Sequence, residues 1–255
     1  MSKAVIPQLV AHRGYQQQYP ENTWPALEAA LRAGACWLEF DVQLCRDDRF
    51  VLMHDDNLQR TAGIDQPVPT TDSTGLTASV HEPQRFGDRF APTPVPLLAG
   101  VLARLSAWPA ARAMVEIKQE SIDQHGLDRV MTQLLPLLIR YQPLCTLISY
   151  NPAALSWVRA RAAVPVGWVL PDYDAQHREQ AMALAPDYLI CNERKLPADE
   201  TPWPGPWQWM LYDIVDPQRA LAWAARGVTL IETADIGAML QDPHLAQQAC
   251  HHATL

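Results

Sequence analysis

Features that mark several protein classes are missing from this sequence. Its five cysteines show no C-x-x-C spacing, so neither a disulfide framework nor a zinc site is predicted. No apolar run reaches the roughly 18 residues of a transmembrane helix, and the first residues lack the apolar core of a secretion signal. No block of basic residues occurs, and 28 acidic residues outnumber 20 basic ones. The sequence therefore predicts a cytoplasmic protein in a reducing compartment, with no nucleic-acid partner and no stable membrane association.

The chain can bury one large core, since 48% of its 255 residues are hydrophobic. Apolar patterns predict strands at 8–11, from Glu39 onward, and at 113–118, 146–150, 166–170, 188–191, 208–212 and 228–232. Helical spacing predicts helices at 23–33, 98–105, 127–141, 153–162, 179–184 and 218–226. About eight strands alternating with helices are typical of a closed (β/α)8 TIM barrel. We therefore predict an α/β fold with one TIM-barrel domain over residues 1–255, as a monomer or homodimer.

Residues 57–96 interrupt this alternation. They are rich in Thr, Pro, Asp and Gly, contain only weak apolar clusters and exceed the length of an ordinary connection between a strand and a helix. We expect them to form a small insertion over one mouth of the barrel rather than a second domain.

The strand that contains Glu39 leads into a predicted β-hairpin. Two alternating apolar runs flank the charged tip Asp47-Asp48, a link that is too short for a parallel crossover. A two-residue loop at that tip would place Asp41 opposite His54, and strand alternation would turn Glu39 to the same face as Asp41. Taken alone, Glu39 and Asp41 also fit the solvated face of an ordinary amphipathic hairpin.

Polar side chains follow three of the predicted strands where each strand ends. Strand by strand, they are His12 and Arg13, Glu39 and Asp41, and Glu116 and Lys118. Active sites of TIM barrels lie at the C-terminal ends of the strands, and the hairpin would return His54 to the same rim. We expect these seven side chains to converge on one site.

Three of these side chains are carboxylates, those of Glu39, Asp41 and Glu116. Crowded carboxylates repel one another unless a cation lies among them. Oxygen ligands favour Mg²⁺ or Ca²⁺ over zinc or copper. Arg13 and Lys118 beside such an ion predict a site for a phosphate group.

Two histidines could move protons on opposite sides of that phosphorus. Because free imidazoles titrate near neutral pH, His12 and His54 could serve as general base and general acid, in either order. The whole set predicts metal-assisted cleavage of a phosphodiester. Three plainer interpretations stay open: Arg13 and Lys118 as mere partners of the carboxylates, Glu116 in a stabilising ion pair, and Asn22 as a helix cap rather than a ligand.

Five short motifs carry a further signal. They are His12-Arg13-Gly14, Glu21-Asn22-Thr23, Glu39-Phe40-Asp41, His54-Asp55 and Glu116-Ile117-Lys118. In this order and spacing they closely resemble the motifs of the glycerophosphodiester phosphodiesterases, a family with a TIM-barrel fold. Weaker matches at Pro96-Leu97-Leu98, Ser149-Tyr150 and Gly227-Val228 extend the resemblance over nearly the whole chain.

The resemblance implies hydrolysis of glycerophosphodiesters to glycerol 3-phosphate and an alcohol, with a divalent metal ion. Carried over by motif, the acid–base residues would be His12 and His54. The metal ligands would be Glu39, Asp41 and Glu116, and the phosphate contacts would be Arg13 and Lys118. In the scheme that the family implies, a glycerol hydroxyl attacks first, and water then opens the resulting cyclic phosphate.

Near its end the sequence departs from the family pattern. Leu211-Tyr212-Asp213 stands where members often read Thr-Val-Asn, and Glu232-Thr233-Ala234-Asp235-Ile236 stands where they often read Thr-Asp-x-Pro. We expect these positions to face the substrate rather than the metal, so the alcohol and the glycerol preference stay open. Two other functions also stay open: a phospholipase-D-like lyase that acts on lysolipids and stops at a cyclic phosphate, and a non-catalytic scaffold that binds phosphate or metal.

Overall fold

The computed structural model describes residues 5–76 and 79–250. Its strands are, in chain order, β1 (Gln8–Ala11), β2 (Trp37–Leu44), β3 (Phe50–Leu52), β4 (Ser79–Val80), β5 (Thr93–Pro94), β6 (Arg112–Ile117), β7 (Cys145–Ser149), β8 (Val166–Val169), β9 (Tyr188–Asn192), β10 (Gln208–Tyr212) and β11 (Val228–Thr233). Eight of them lie parallel in the order β1, β11, β10, β9, β8, β7, β6 and β2, and the pairing of β1 with β2 closes the ring. The predicted TIM barrel is confirmed, with β3 paired antiparallel to β2 outside the ring.

Helices alternate with the ring strands. They are α1 (Trp24–Ala33), α2 (Gln59–Ala62), α3 (Pro83–Phe86), α4 (Leu98–Leu105), α5 (Gln119–His125), α6 (Leu127–Arg140), α7 (Pro152–Arg159), α8 (Ala175–Leu184), α9 (Pro217–Ala224) and α10 (Ile236–Met239). Every predicted helix is present. Helix α8 begins before the predicted start because the Asp174 side chain accepts from the His177 N–H and caps it.

The apolar core has two main layers, one on each face of the ring. The larger packs the helices against the strands. The smaller takes one side chain from each of seven ring strands: Val10, Met114, Ile148, Val169, Ile190, Met210 and Leu230. Because side chains alternate along a strand, this smaller set fills the barrel interior. It therefore forms the floor beneath any site at the C-terminal mouth.

The predicted hairpin is present, but its predicted register is wrong by one residue. Val42 pairs with Leu52, so Met53 rather than His54 lies opposite Asp41, and the Asp41 carbonyl accepts from the Met53 N–H at 3.1 Å. His54 therefore lies beyond the paired part of the hairpin, and the strand alternation does not determine where its side chain points.

The hairpin loop explains this error. The Cys45 N–H donates to the Arg49 carbonyl at 2.8 Å, so the loop extends beyond the two aspartates at its tip. Asp48 adopts a positive φ of 61°, which a tight turn of this kind requires and which aspartate tolerates better than most residues. The longer loop shifts the pairing by one residue.

The described parts of the predicted insertion, residues 57–76 and 79–96, contact the connection between β1 and α1. Apolar side chains of the segment, such as Leu58 and Val68, form one cluster with side chains of the hairpin, such as Val51. The Glu21 N–H donates to Glu82 Oε1 at 2.6 Å, so the segment is bound to the loop that follows β1. This contact places the insertion at the C-terminal mouth of the barrel.

Two cysteines form a disulfide, contrary to the prediction. Cys36 and Cys250 are bonded across a separation of 214 residues, whereas Cys45, Cys145 and Cys191 are free and buried. Sequence spacing misses such a pair because only the fold brings its members together. Since disulfides are typical of oxidising compartments, the cysteine argument for a reducing compartment and a cytoplasmic location loses its basis. Among the helices at 5–76 and 79–250, none is long and apolar enough to cross a membrane.

Candidate active site

The turn after β1 directs two side chains into the barrel mouth. Gly14 has φ of 81°, and a Cβ at this position would lie 2.6 Å from the backbone carbon of Ala26. Only glycine allows the loop to approach α1 so closely. The same turn gives Arg13 a positive φ of 53°, and both His12 and Arg13 line the cavity at the mouth.

The His12 ring has polar neighbours at both nitrogens. Gln16 Nε2 lies 2.7 Å from Nδ1. On the other side, Nε2 lies 3.9 Å from Glu39 Oε2 and 3.5 Å from Glu232 Oε1. The imidazole is therefore oriented with Nε2 toward the carboxylates of the site.

Glu39 and Asp41 lie on β2 and are almost completely buried. The Arg13 N–H donates to Glu39 Oε2 at 3.0 Å, and Arg13 Nε lies 3.1 Å from Asp41 Oδ2. Glu39, Asp41 and Glu116 have carboxylate oxygens within 4.8 Å of one another. The prediction that Glu39 and Asp41 share a face is confirmed, and the solvated-hairpin alternative is wrong.

Asn22 belongs to this site rather than to a helix cap, contrary to the expectation. Its Nδ2 donates to Asp41 Oδ2 at 2.9 Å, and its Oδ1 accepts from the Asp41 N–H at 3.1 Å. The cap of α1 is the next residue, Thr23, whose side chain accepts from the Ala26 N–H. With φ of 54°, Asn22 occupies the left-handed region that asparagine tolerates. It fixes the orientation of the Asp41 carboxylate.

Glu116 and Lys118 extend from the end of β6 toward Asp41. Lys118 Nζ lies 2.9 Å from Glu116 Oε1 and 3.4 Å from Asp41 Oδ1. In the parallel register, Asp41 is the direct partner of Glu116. The ion-pair interpretation of these residues describes their contacts correctly, and both Glu116 and Lys118 also line the cavity.

His54 reaches the mouth through the turn after β3. Gln43 Nε2 donates to the His54 carbonyl at 3.1 Å and also to the carbonyl of Asp55. These contacts hold the turn against β2. The His54 Nδ1 atom lies 2.6 Å from Asp55 Oδ1, and the ring lines the cavity. A carboxylate at Nδ1 fixes the tautomer and leaves Nε2 available to the site.

A chain of ion pairs connects the two histidine-bearing segments. Glu21 is buried and binds both Arg13, at 3.0 Å, and Arg60, at 2.7 Å. Arg60 Nε also lies 2.7 Å from Asp55 Oδ2. Arg60 belongs to the insertion, so this segment helps to position both Arg13 and the Asp55–His54 pair.

Glu232, which was expected to face the substrate rather than the metal, lines the cavity and also lies beside Glu39, a predicted metal ligand. It lies on β11, is 4% exposed and shares a candidate metal-binding group with His12 and Glu39. The signal for it was present in the sequence, because a charged residue at the end of an apolar strand is the feature that singled out His12. The site thus holds a fourth acidic side chain.

Burial dominates the titration of these acids. Burial raises the pKa of Glu232 to about 8, with a further contribution from Glu116. Burial and the Asp41 charge likewise raise the pKa of Glu39 well above its usual range, and that of Glu116 above it. Each of these acids resists ionisation beside the others, so a cation among them would be bound in place of protons.

The cationic side chains counter this effect at one acid. Burial alone would raise the pKa of Asp41, but Arg13 and Lys118 outweigh it and hold that pKa below its usual range. At His12, burial and the Arg13 charge lower the pKa to about 3. Asp41 is therefore the most firmly ionised acid of the group, and His12 is neutral near pH 7.

The donor set fits a divalent cation. Glu39, Asp41 and Glu116 each offer a carboxylate oxygen within 4.8 Å of the others. Glu39 Oε1 is buried and has no hydrogen-bond partner among the described residues. A buried oxygen of this kind requires a partner, and oxygen ligands at this spacing suit a hard cation.

A cavity of about 180 Å³ opens beside these groups at the C-terminal mouth. Its lining includes five of the seven predicted site residues: His12, Arg13, His54, Glu116 and Lys118. The other lining residues are Ile148, Tyr150, Val169, Ile190, Tyr212, Asp213 and Glu232. The structure thus brings the seven predicted side chains together around one cavity.

The sequence model of the glycerophosphoryl diester phosphodiesterase family matches residues 12–196 of this chain. The chain belongs to this family. The matched range contains all seven predicted site residues and ends before Tyr212, Asp213 and Glu232. The resemblance inferred from the five motifs is therefore confirmed.

Curated relatives match part of the chain. The protein YqiK of Bacillus subtilis, described as uncharacterized, is 35% identical over 130 residues, which are 48% of this chain and 50% of YqiK. A glycerophosphodiester phosphodiesterase of Bacillus altitudinis is 32% identical over 123 residues, again 48% of this chain and 50% of that protein. The chain thus matches about half the length of these relatives.

Solved structures of the family match almost the whole fold. A phosphodiesterase of Oleispira antarctica, solved in complex with the product sn-glycerol-3-phosphate, has a TM-score of 0.81 at 22% identity, covering 92% of this chain and 96% of its own. A structure described as a putative glycerophosphoryl diester phosphodiesterase of Silicibacter pomeroyi has a TM-score of 0.78 at 20% identity, covering 97% and 96%. At these identities the likeness establishes the barrel fold.

Proposed function

We propose that this chain hydrolyses glycerophosphodiesters to glycerol 3-phosphate and an alcohol, with a divalent cation and two histidines. The observation that supports this most directly is the clustering of three carboxylates within 4.8 Å of one another beside Arg13 and Lys118. Family membership supports the same reaction class. The cytoplasmic location stays a prediction from the sequence.

Glu39, Asp41 and Glu116 would hold the cation, and their oxygen ligands favour Mg²⁺ or Ca²⁺. When bound, the cation would neutralise the phosphoryl oxygens and lower the pKa of the attacking hydroxyl. Arg13 and Lys118 line the cavity and would orient the phosphate by charge-assisted hydrogen bonds. The Arg13 and Lys118 side chains also contact Asp41, and this contact keeps both side chains in position.

His54 suits the role of general base. Asp55 Oδ1 lies 2.6 Å from Nδ1, so the Nε2 lone pair would accept the proton of the attacking hydroxyl. His12 would act as the general acid at the leaving oxygen; because it is neutral near pH 7, it would have to take up a proton before each donation. One P–O bond forms at the glycerol hydroxyl or water while the P–O bond to the alcohol breaks.

The test is release of glycerol 3-phosphate from glycerophosphocholine by protein treated with a chelator and then given Mg²⁺ or Ca²⁺ singly. We expect turnover with at least one ion and none without either. His12→Ala and His54→Ala should each lower kcat by roughly 10²- to 10⁴-fold. His244→Ala is the matched control, because His244 is an exposed histidine paired with Asp242 outside the cavity.

Three outcomes would contradict the proposal. Turnover that persists in either histidine variant would remove the acid–base roles. Phosphorus NMR that records a stable cyclic phosphate as the only product would instead support the lyase alternative, and cation binding without turnover on a panel of diesters would support the scaffold alternative.

A further inference from the structure

The proposed chemistry leaves one side of the cavity without a role, the side formed by the ends of β7 and β10. Tyr150 and Tyr212 extend across it, and their hydroxyl oxygens lie 2.9 Å apart. Strands β7 and β10 are three places apart in the barrel, so the two tyrosine side chains together bridge a large part of the mouth. Asp213 follows Tyr212 and lines the same cavity.

The Asp213 carboxylate differs from the other acids of the cavity. Glu116 is paired with Lys118 at 2.9 Å, and Glu232 lies 3.5 Å from the His12 ring. Asp213 accepts a hydrogen bond from Asn192 Nδ2 at 2.6 Å. Across residues 5–76 and 79–250, however, no lysine, arginine or histidine forms an ion pair with it. This carboxylate is held in place at the cavity without a cation of its own.

The rest of this side of the cavity is apolar and aromatic. Ile148, Val169 and Ile190 of the barrel floor line it together with the two tyrosines. Alkyl groups on a nitrogen cation favour apolar contact, while its charge is attracted to aromatic rings and carboxylates. An apolar surface with two tyrosines and one carboxylate, which has no cationic partner in the described part of the chain, therefore suits a substituted ammonium group.

We propose that Tyr150, Tyr212 and Asp213 select glycerophosphodiesters whose alcohol carries an ammonium group. The proposal rests on the proposed function in one respect, since it takes the phosphate to lie at Arg13 and Lys118. A zwitterionic diester then matches the cavity at both ends. Its phosphate meets the cations that follow β1 and β6, and its ammonium group meets the carboxylate that follows β10.

The kinetic test compares glycerophosphocholine, which carries a quaternary ammonium group, with glycerophosphoglycerol, which carries none. Wild type should favour glycerophosphocholine in kcat/KM, and Asp213→Asn should lower that preference by roughly three- to tenfold. The loss should shrink at high salt because Asp213 is exposed to solvent.

Asp172→Asn is the matched control. Asp172 is an exposed carboxylate on the loop after β8, it lies 3.7 Å from Lys195, and it does not line the cavity. This variant should leave the preference between the two substrates unchanged. An unchanged preference in Asp213→Asn, or an equal loss in Asp172→Asn, would overturn the proposal.

A binding measurement tests the ammonium selectivity even if the protein shows no turnover. Calorimetric titration should give tighter binding of choline than of its uncharged isostere 3,3-dimethylbutan-1-ol, and Asp213→Asn should remove most of that difference. Binding that follows this pattern without release of glycerol 3-phosphate would refute the proposed function alone. Equal turnover of both diesters, with equal binding of both alcohols, would refute the ammonium selectivity alone.

Discussion

The two sides of the barrel mouth are built on different principles. On the side of β1, β2 and β6, buried acids and cations contact one another closely, as in the 2.9 Å contact between Lys118 and Glu116. On the side of β7 to β10, the cavity wall consists of aliphatic side chains, the Tyr150–Tyr212 pair and Asp213. Charge movement at phosphorus needs many fixed charges, whereas recognition of an alcohol needs only shape and a few polar contacts.

The family match covers part of each side. It spans residues 12–196, which include Glu116 and Lys118 on the charged side and Tyr150 on the other, but it ends before Tyr212, Asp213 and Glu232.

The largest expected effect is on the charged side, at Glu116. Glu116→Gln keeps the shape of the side chain but removes one of three clustered carboxylates. We expect Mg²⁺ and Ca²⁺ affinity to fall by roughly 100-fold, measured by calorimetry, with a parallel loss of activity at low ion concentration. Glu120→Gln, at an acid outside the cavity on α5, should change neither quantity. Unchanged ion affinity in Glu116→Gln would contradict the ligand assignment.

Asp55→Asn should have the next largest effect, through the orientation of His54. The change keeps the volume but weakens the 2.6 Å contact at Nδ1. We expect kcat to fall by roughly 10- to 100-fold while KM stays nearly constant, because His54 would act in proton transfer rather than in binding. Asp65→Asn, at an exposed acid of the insertion, is the control. A rise in KM at constant kcat would mean that Asp55 serves binding.

The stability of chelator-treated protein should fall as pH rises from about 6.5 to about 8. In this range the buried Glu232, with a folded pKa of about 8 against 4.5, keeps a proton that the unfolded chain loses. His12, with its pKa lowered from 6.5 to about 3, opposes this trend only below pH 6.5. The free energy of unfolding should therefore fall by at most about 1.4 kcal/mol per pH unit for each such acid.

Denaturant titrations across this pH range test the expectation. Glu232→Gln should reduce the slope, and added divalent cation should reduce it in wild type, because the ion replaces protons among the acids. Glu28→Gln, which alters a partly exposed acid paired with Arg32, should leave the slope unchanged. An identical slope in Glu232→Gln would mean that this acid is ionised throughout the range.

The smallest expected effect lies on the tyrosine side. Tyr212→Phe removes one partner of the 2.9 Å hydroxyl pair but keeps the ring. A single hydrogen bond of this kind contributes about 1 kcal/mol, so we expect KM to rise by roughly threefold at nearly constant kcat. Tyr173→Phe, at a tyrosine stacked on Trp203 outside the cavity lining, should leave both parameters unchanged. A loss in kcat comparable to that of Asp55→Asn would remove the distinction between the two sides.

Local patterns predicted the barrel and most of the charged side. Apolar periodicity sufficed for the ring strands, and the end-of-strand rule selected residues such as His12 and Glu116 because parallel strands end at one rim. The register of the hairpin was not predicted correctly, because Asp48 in a left-handed conformation lengthens the loop. No pattern within a strand encodes such a loop.

Contacts between distant segments were also not predicted from the sequence. Asn22 fits a helix cap when only its neighbours are considered, yet its side chain binds Asp41 on β2. Glu232 lies within 3.5 Å of His12 only because β11 pairs with β1 to close the ring. The Cys36–Cys250 bridge depends on the fold in the same way.

The contacts between the insertion and Glu21 limit how this barrel mouth can be re-engineered. Arg60 of the insertion binds the Glu21 carboxylate, and Glu82 of the insertion accepts from the Glu21 N–H. Glu21 in turn forms an ion pair with Arg13. A chain shortened here could keep all eight ring strands and still lose the alignment of its arginine. Anyone grafting this mouth onto another barrel would have to transplant the insertion together with the motifs.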